Sequence, residues 1–556
     1  MAMTNARIAE LLRSHADLME IAGENSFRLN AYRRAADAVQ GHDRPLAQEA
    51  DLTTIPGVGA GISAAIREML TTGTYAPLDE LQEQIPGSLL AVLDVPGVGA
   101  KTAARMYREL GVTSLSDLEE AVRSGRLSSM KGMGPKAQLR IGEGLAFLQR
   151  RSGRTSIGMA LPLAERLAER LSAIIGGPVQ IVGSVRRMCI TVGNIDLLAV
   201  GTSINSILNA AAALPDIAET IERTDDSVLF DLHQGVKLRV RVVAPDVVGT
   251  ALVAMTGSAA HIAKLGGADN LPGGATEEDV YAALGLPWIA PELREDHGEI
   301  EAARDGRLPR LIERSDLRGD LHLHSTWSDG AATPLEMAMA AAARGYAYLA
   351  ITDHSGGLGI AGGLRPERLV EQRQEIDALR ESAPVHLLAG SEVEVHRDGQ
   401  LDFDDEILTG LDLVVASLHS GLRQPSDEFT ARLLATIQSP HTDIIAHPTG
   451  RLVERRQGAD IDWPRIYAAA RETATVLEIN SDPSRLDMDD VNARGAFQFG
   501  CLLSIDSDAH HPSSLGLVRF GIGVARRAWV EPQQVVNTWP LDDLLAWLRD
   551  RKLPVR

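Results

Sequence analysis

The chain has 556 residues, past the length at which one hydrophobic core serves, so several domains are expected. Its 44% hydrophobic and 23% charged residues exclude wholesale disorder, and its two cysteines, Cys189 and Cys501, exclude a disulfide framework or a thiolate zinc site. The net charge of -20 weighs against a polyanionic partner, yet residues 1–150 hold 16 basic against 18 acidic side chains, so the N-terminal part can still touch a polyanion.

The opening MAMTNARIAELLRSHADLMEIAG lacks a basic region followed by an apolar stretch, and no apolar run reaches about 18 residues. A cytoplasmic protein without membrane contact is expected. Over residues 5–40 apolar positions recur every three or four, predicting helices broken around Gly23 to Ser26. Three related segments follow: IPGVGAGIS (55–63), VPGVGAKTA (95–103) and MKGMGPKAQ (130–138). Each sets a Gly-x-Gly turn between two predicted helices, which reads as an internal repeat. Such a helix-hairpin-helix exposes backbone N–H groups and a helix N-terminus to a DNA phosphate, and glycine permits the close approach. The predicted DNA contacts are Gly57, Gly59, Gly97, Gly99, Lys101, Gly132, Gly134 and Lys136, with Lys131 beside them. The repeats are divided between helical domains at 1–75 and 76–153.

From Thr155 the pattern changes to one helix and short β-branched runs, VQIVGSV, IDLLAV, SVLFDL and VKLRVRVV, which predict an α+β domain over 154–315. From Asp316, apolar strands alternate with helical stretches, as in a parallel α/β sheet or barrel over 316–556. The strand candidates are GDLHLH, YAYLAIT, HLLAGSEVEV, LDLVVASLH, TDIIAHP, TVLEIN and CLLSIDSDAH, and nearly all end in His, Asp or Glu. Barrel enzymes build their sites at such carboxyl ends.

His322 and His324, two apart on a strand, share a face and form a chelating pair. Asp329, His354, Glu392, His419, His447, Asp508 and His510 follow at successive strand ends. Nine imidazole and carboxylate groups exceed the needs of one transition metal and suit two or three bridged ions, Mn²⁺ or Zn²⁺ with Fe²⁺ as a further option. A cluster of that kind lowers the pKa of water and stabilises the attacking and leaving oxygens of a phosphoryl displacement. Arg451 and Arg485 lie just beyond strand ends, where a guanidinium can grip a phosphate or pair with a neighbouring acid. His386, His396, His441 and His511 lack such placement and are read as ordinary histidines.

DLHLHSTWSDG, ITDHS, GSEVEV, SLHSG, IIAHPTGR, LEINSDPSRLD and SIDSDAH resemble the polymerase and histidinol phosphatase (PHP) domain. The resemblance implies a distorted (β/α)7 barrel with a trinuclear site. It places the nine residues on ligand positions and selects Glu392 rather than Glu394, a choice that spacing leaves open.

The hairpin repeats, ENSFRLNAYRRAAD and the α+β segment together resemble the bacterial family X DNA polymerases with an attached PHP domain. VGSVRR, with Gly183, Ser184 and Arg186, resembles the nucleotidyltransferase Gly-Ser turn; TGSAAHI and TEEDVYAALGLPWIAPELRED resemble the later sugar-contacting motif and the thumb. The palm departs from the pattern. GNIDLL places Asn194 where the first carboxylate belongs and keeps Asp196, and LRVRVV places Arg239 at the third. Ala254 and Met255 replace the aromatic pair before TGS. A nucleotidyltransferase-like domain without its catalyst is therefore expected, with Arg186 left able to contact a phosphate.

The resulting expectation is a DNA-repair phosphodiesterase, a 3'-5' exonuclease and abasic-site endonuclease, acting on gapped, nicked or recessed DNA. A small-molecule phosphomonoesterase, or a gap-filling polymerase if the altered palm works, are the alternatives.

Overall fold

Each Gly-x-Gly repeat leads straight into a helix. The computed structural model, which describes residues 3–551 except 25, 41, 43, 94, 96, 152, 359 and 360, begins with α1 (Asn5–Ala22) and α2 (Ser26–Gln40), separated at Gly23. Then come α3 (Ala60–Thr72), α4 (Ala76–Gln84), α5 (Leu90–Leu93), α6 (Ala100–Leu110), α7 (Leu115–Arg123) and α8 (Pro135–Arg151). The repeats precede α3, α6 and α8. Gly57, Gly97 and Gly132 take φ of 86°, 95° and 81°, a left-handed conformation that any Cβ would strain. Gly59 and Gly99 cap α3 and α6 with no side chain, so the first N–H groups of those helices keep no side-chain acceptor.

Two apolar cores hold these helices. Ile8, Leu12, Val39, Leu52, Ile66 and Tyr75 build one, and Leu89, Met106, Leu118, Met130 and Ile141 build the other. Leu78 and Leu81 of α4 also pack on the first core.

The next segment holds β1 (Thr155–Ser156), α9 (Ile157–Ile175), β2 (Val179–Val182), β3 (Thr191–Val192), β4 (Ile195–Val200), β5 (Ile217–Arg223), β6 (Ser227–Leu232) and β7 (Lys237–Val243). Five of the strands form a sheet in the order β2-β4-β7-β6-β5, with β4 and β7 parallel. Along β7, Lys237, Arg239 and Arg241 are exposed while Leu238, Val240 and Val242 are buried, the alternation of a sheet wet on one face. The chain divides into two compact units. One is Met1–Thr155, Pro162–Val182 and Val192–Val248; the other is Ser156–Leu161, Gly183–Thr191 and Gly249–Arg556, so the helices after residue 249 group with the barrel. Their own core joins Val253, Val280, Tyr281, Ile289 and Ile300.

The barrel strands are β8 (Gly319–Asp320), β9 (Tyr348–Ile351), β10 (His386–Glu394), β11 (Leu413–Ser417), β12 (Ile444–Ile445), β13 (Val476–Asn480) and β14 (Leu503–Asp506). They lie side by side in chain order, all parallel, matching the seven expected runs. Every residue of β9, β11 and β13 is buried, because helices cover the outside and side chains fill the inside. Closure comes just past β8 and β14, where Leu323 bridges Ala509, His324 N–H donates to Ala509 O (2.9 Å) and Asp508 N–H donates to His322 O (3.0 Å). The result is a distorted (β/α)7 barrel, and its seam brings His322, His324 and Asp508 to one rim. Among the described residues no helix is long and apolar enough to cross a membrane.

Candidate metal centre

All nine residues singled out in the sequence meet at that rim. Glu392 is the centre, at the carboxyl end of β10. Its Oε2 lies 2.6 Å from His354 Nδ1, 3.5 Å from His322 Nε2 and 3.6 Å from His324 Nε2, and its Oε1 lies 3.0 Å from His447 Nε2 and 3.5 Å from His419 Nε2. Asp508 Oδ1 lies 3.1 Å from His324 Nε2 and 3.8 Å from His322 Nε2. Asp329 Oδ1 lies 3.3 Å from His510 Nε2 and 3.6 Å from His354 Nε2.

Three groups of donor atoms can each hold an ion: His324, Asp329, His354 and His510; His322, His324 and Asp508; and His354, Glu392 and His419, all within 4.8 Å of one another. His324 and His354 each belong to two groups, so the groups adjoin one another. His386, His396, His441 and His511 fall in none of them.

Side-chain satisfaction shows that the residues fit metal ions. His322 Nε2, His324 Nδ1, Glu392 Oε2 and His447 Nδ1 are buried and lack hydrogen-bond partners in the protein. The short His354 Nδ1 to Glu392 Oε2 contact therefore brings donor and acceptor close without hydrogen-bond geometry. Lone pairs that converge in a buried space, unpaired with protons, are costly unless a cation lies between them. Burial opposes the charge on Glu392, but the imidazoles of His354, His419 and His322 hold its carboxyl well below the usual range. Burial, with the Arg485 charge, pushes His447 down to about 3 and keeps that imidazole neutral, the form that ligates.

A second layer of carboxylates aims the imidazoles, and the sequence reading did not single it out. Glu478 on β13 accepts from His322 Nδ1 at 2.7 Å and from the His447 backbone N–H at 2.6 Å. Asn480 Nδ2 donates to Glu478 Oε2 (3.2 Å) and to Asp508 Oδ2 (3.1 Å). Glu394 accepts from His419 Nδ1 at 2.8 Å, so the two glutamates of GSEVEV divide into a central group and an orienting one. Asp353 accepts from Ser325 and Ser328 and holds the loop that carries Asp329. The available signal for Glu478 was an acid inside the apolar run TVLEIN.

Replacing Glu478 by alanine is expected to weaken metal binding by about 10- to 100-fold while Glu478→Gln, which keeps an acceptor, weakens it less. Competition against a chromophoric chelator reads this directly; unchanged affinity in the alanine variant would remove the orienting role.

Of the two arginines placed near the site, Arg451 is committed elsewhere. Its guanidinium donates to Arg485 O (2.7 Å), to Asp489 (3.1 Å) and to Leu486 O, and so braces the loop after β13. Arg485 Nε instead lies 3.6 Å from Asp508 Oδ2, beside the cluster.

Family models match four parts of the chain. Residues 3–75 match the helix-hairpin-helix domain, 49–110 and 89–145 the SAM-like helix-hairpin-helix tandem, 258–295 the DNA polymerase beta thumb, and 320–480 the PHP domain. The chain is 36% identical to the DNA polymerase/3'-5' exonuclease PolX of Bacillus subtilis (strain 168), over 98% of this chain and 99% of that protein. The chain belongs to the family X DNA polymerases that carry a PHP domain. It is also 32% identical to a probable phosphatase of Edwardsiella ictaluri, over 42% of this chain and 96% of that protein. A probable phosphatase of Thermoanaerobacter sp. (strain X514) is 30% identical over 30% of this chain and 70% of that protein. As a PHP-bearing family X member the chain is a DNA-binding, metal-dependent hydrolase.

The residues expected to contact DNA lie at the starts of α3, α6 and α8. Lys101, Lys131 and Lys136 are exposed, and no neighbouring atom lies within 4 Å of where a Cβ would stand on Gly59, Gly99, Gly132 or Gly134.

The family X palm is altered as its sequence indicates. Asp196 on β4 and Arg239 on β7 are register partners, and Asp196 accepts a 2.6 Å hydrogen bond from Asn194 Nδ2. Gly183 and Ser184 form the Gly-Ser turn as the start of a single helical turn, Gly183–Arg186. Arg186 corrects an expectation: it is not available to a phosphate. Its Nη1 and Nη2 lie 2.8 and 2.7 Å from the two carboxylate oxygens of Glu277, and Nη1 also donates to Thr256 Oγ1 at 2.8 Å. The fully buried Arg294 donates to the same Glu277 at 2.6 Å, and against the cost of burial these two guanidiniums hold the Glu277 carboxyl down at about 2.

Proposed function

We propose that the chain is a metal-dependent DNA phosphodiesterase of DNA repair, a 3'-5' exonuclease that also cleaves at abasic sites, whose palm no longer polymerises. The observation that carries this reading is the convergence of nine imidazoles and carboxylates on the barrel rim, four of which keep a buried atom without a hydrogen-bond partner. His322, His324, Asp329, His354, Glu392, His419, His447, Asp508 and His510 would hold two or three divalent ions, Mn²⁺ or Zn²⁺ with Fe²⁺ as a further option. Such ions supply Lewis acidity toward the phosphoryl oxygens and a lowered pKa for water.

The protein's own part is positioning. Glu478 and Glu394 set the orientation of His322 and His419, and the Asp353 network fixes the Asp329 loop. Arg485 offers a guanidinium beside the cluster to a phosphate oxygen. The hairpin N–H groups and Lys101, Lys131 and Lys136 grip backbone phosphates without regard to base sequence, which suits gapped, nicked or recessed ends of any sequence. The free thiols of Cys189 and Cys501 fit a reducing cytoplasm.

A phosphatase whose length aligns with 42% of the chain leaves the hairpin repeats without a purpose, which favours DNA over a small phosphomonoester. The test uses 5'-labelled recessed, gapped and abasic duplexes with Mn²⁺, Zn²⁺ or Mg²⁺. Stepwise shortening from the 3' end is expected with at least one metal, and cleavage at the abasic site as a second activity. Hydrolysis confined to small phosphate esters would overturn the reading.

A further inference from the structure

Beside the metal centre, three adjacent loops carry arginines, of which the site as described uses only Arg485. They follow β11, β12 and β13, neighbouring strands of the barrel, on the rim where the candidate ligands lie. The first runs from His419 to Arg423, the second from His447 through Arg451 to Arg455 and Arg456, and the third holds Arg485.

These loops are packed into one surface. A Cβ on Gly450 would stand 2.6 Å from the Leu422 side chain, so the first two loops touch there. Val453 N–H donates to Ser484 O at 2.6 Å, joining the second and third. Arg456 donates from Nε and Nη2 to Gly450 O at 2.9 and 2.6 Å, which folds its guanidinium back onto the His447 loop.

The charges on this surface are not balanced from within. Arg451 is consumed by Asp489 and two carbonyls. Asp487 accepts from Thr449 N–H and Oγ1 at 3.0 and 2.9 Å, and with Asp508 and Asp482 it faces the charge of Arg485, the innermost of these arginines. Arg423 and Arg455 are exposed and, among the described residues, their guanidiniums have no hydrogen-bonded or ionic partner. Burial disfavours the charge on Arg456, and the guanidiniums of Arg485 and Arg423 oppose it further. On a chain of net charge -20, like charges gathered in one place signal an anion that belongs among them.

We propose that Arg423, Arg455 and Arg456 form a phosphate track, continuous with Arg485 at the metal centre, that holds the backbone of a DNA strand beside the phosphodiester being cut. This rests on the phosphodiesterase reading and deepens it. A monoester has one phosphate, which the cluster and Arg485 occupy; only a polynucleotide brings further phosphates to the outer arginines. Guanidinium suits the task because it stays charged and offers a planar fork of donors to phosphate oxygens.

The test compares the full-length chain with its Arg423→Ala, Arg455→Ala double variant, both loaded with Mn²⁺. Because both side chains are exposed and unpaired, the variant is expected to fold. The substrates are a single-stranded oligodeoxynucleotide and the p-nitrophenyl ester of thymidine 5'-phosphate, a diester with a single phosphate. For the oligonucleotide, KM is expected to rise about tenfold and the slope of log KM against log salt to fall by about 1.4, the value for two lost contacts on a single strand. The small diester is expected to lose several-fold less. Equal losses on both substrates, or an unchanged oligonucleotide KM and salt slope, would overturn the track while leaving the phosphodiesterase reading in place. A wild-type chain that cleaves the small diester but no oligonucleotide would overturn both.

Discussion

His322→Ala combined with His324→Ala is expected to abolish hydrolysis of every DNA substrate while DNA affinity and its salt dependence stay within about twofold of wild type. The two imidazoles occupy the barrel seam. His324 belongs to two of the three donor groups, with Nε2 3.1 Å from Asp508 and 3.6 Å from Glu392, and His322 Nε2 faces the same two carboxylates. Their removal leaves Glu392 and Asp508 as buried carboxylates with too few partners to recruit cations. DNA affinity persists because the hairpins lie in the other compact unit, with their own cores. The checks are metal content, a gel-based exonuclease assay and a fluorescence anisotropy titration at several salt concentrations. Wild-type hydrolysis by the double variant would sink the metal assignment.

No templated nucleotide incorporation is expected from this chain on a gapped duplex with all four nucleotides and either Mg²⁺ or Mn²⁺. Two-metal phosphoryl transfer needs carboxylates that hold both cations. Asn194 withdraws one charge, and Arg239, the register partner of Asp196, substitutes a positive charge for another. At about 4 Å and an effective dielectric near 20, each such unit pair is worth roughly 4 kcal/mol, enough to exclude a divalent ion. The Gly-Ser turn adds a second obstacle. Arg186 is held bidentately by Glu277, and breaking a buried pair of this kind costs about 3–5 kcal/mol. A primer extended by even one nucleotide, with the activity removed by Asp196→Ala, would show that the altered palm still works.

Much of the site could be read along the chain, because its determinants are local. Seven apolar runs spaced by helical stretches specify parallel strands covered on both faces, and the ligands at the ends of six of them must fall on one rim. The hairpin glycines are equally local: a turn that needs φ near 86° at Gly57 or 95° at Gly97 accepts little else. Resemblance to a known family then chose between Glu392 and Glu394, which strand alternation places on the same face.

What packing alone decided concerns atoms brought together across long stretches of chain. His322 Nδ1 finds Glu478 across 156 residues, a pairing set by how far apart the first and sixth strands end after the barrel closes. Arg451 and Arg485 look alike in sequence, each just past a strand; tertiary contacts tie the first to Asp489 and leave the second beside Asp508. Arg186 carries a phosphate-binding signature, yet Glu277, 91 residues later, takes its guanidinium. A motif states which groups a chain offers, and the folded surroundings determine whether those groups are already satisfied. That is why Arg423 and Arg455, which belong to no motif, remain open to a partner while Arg186 does not.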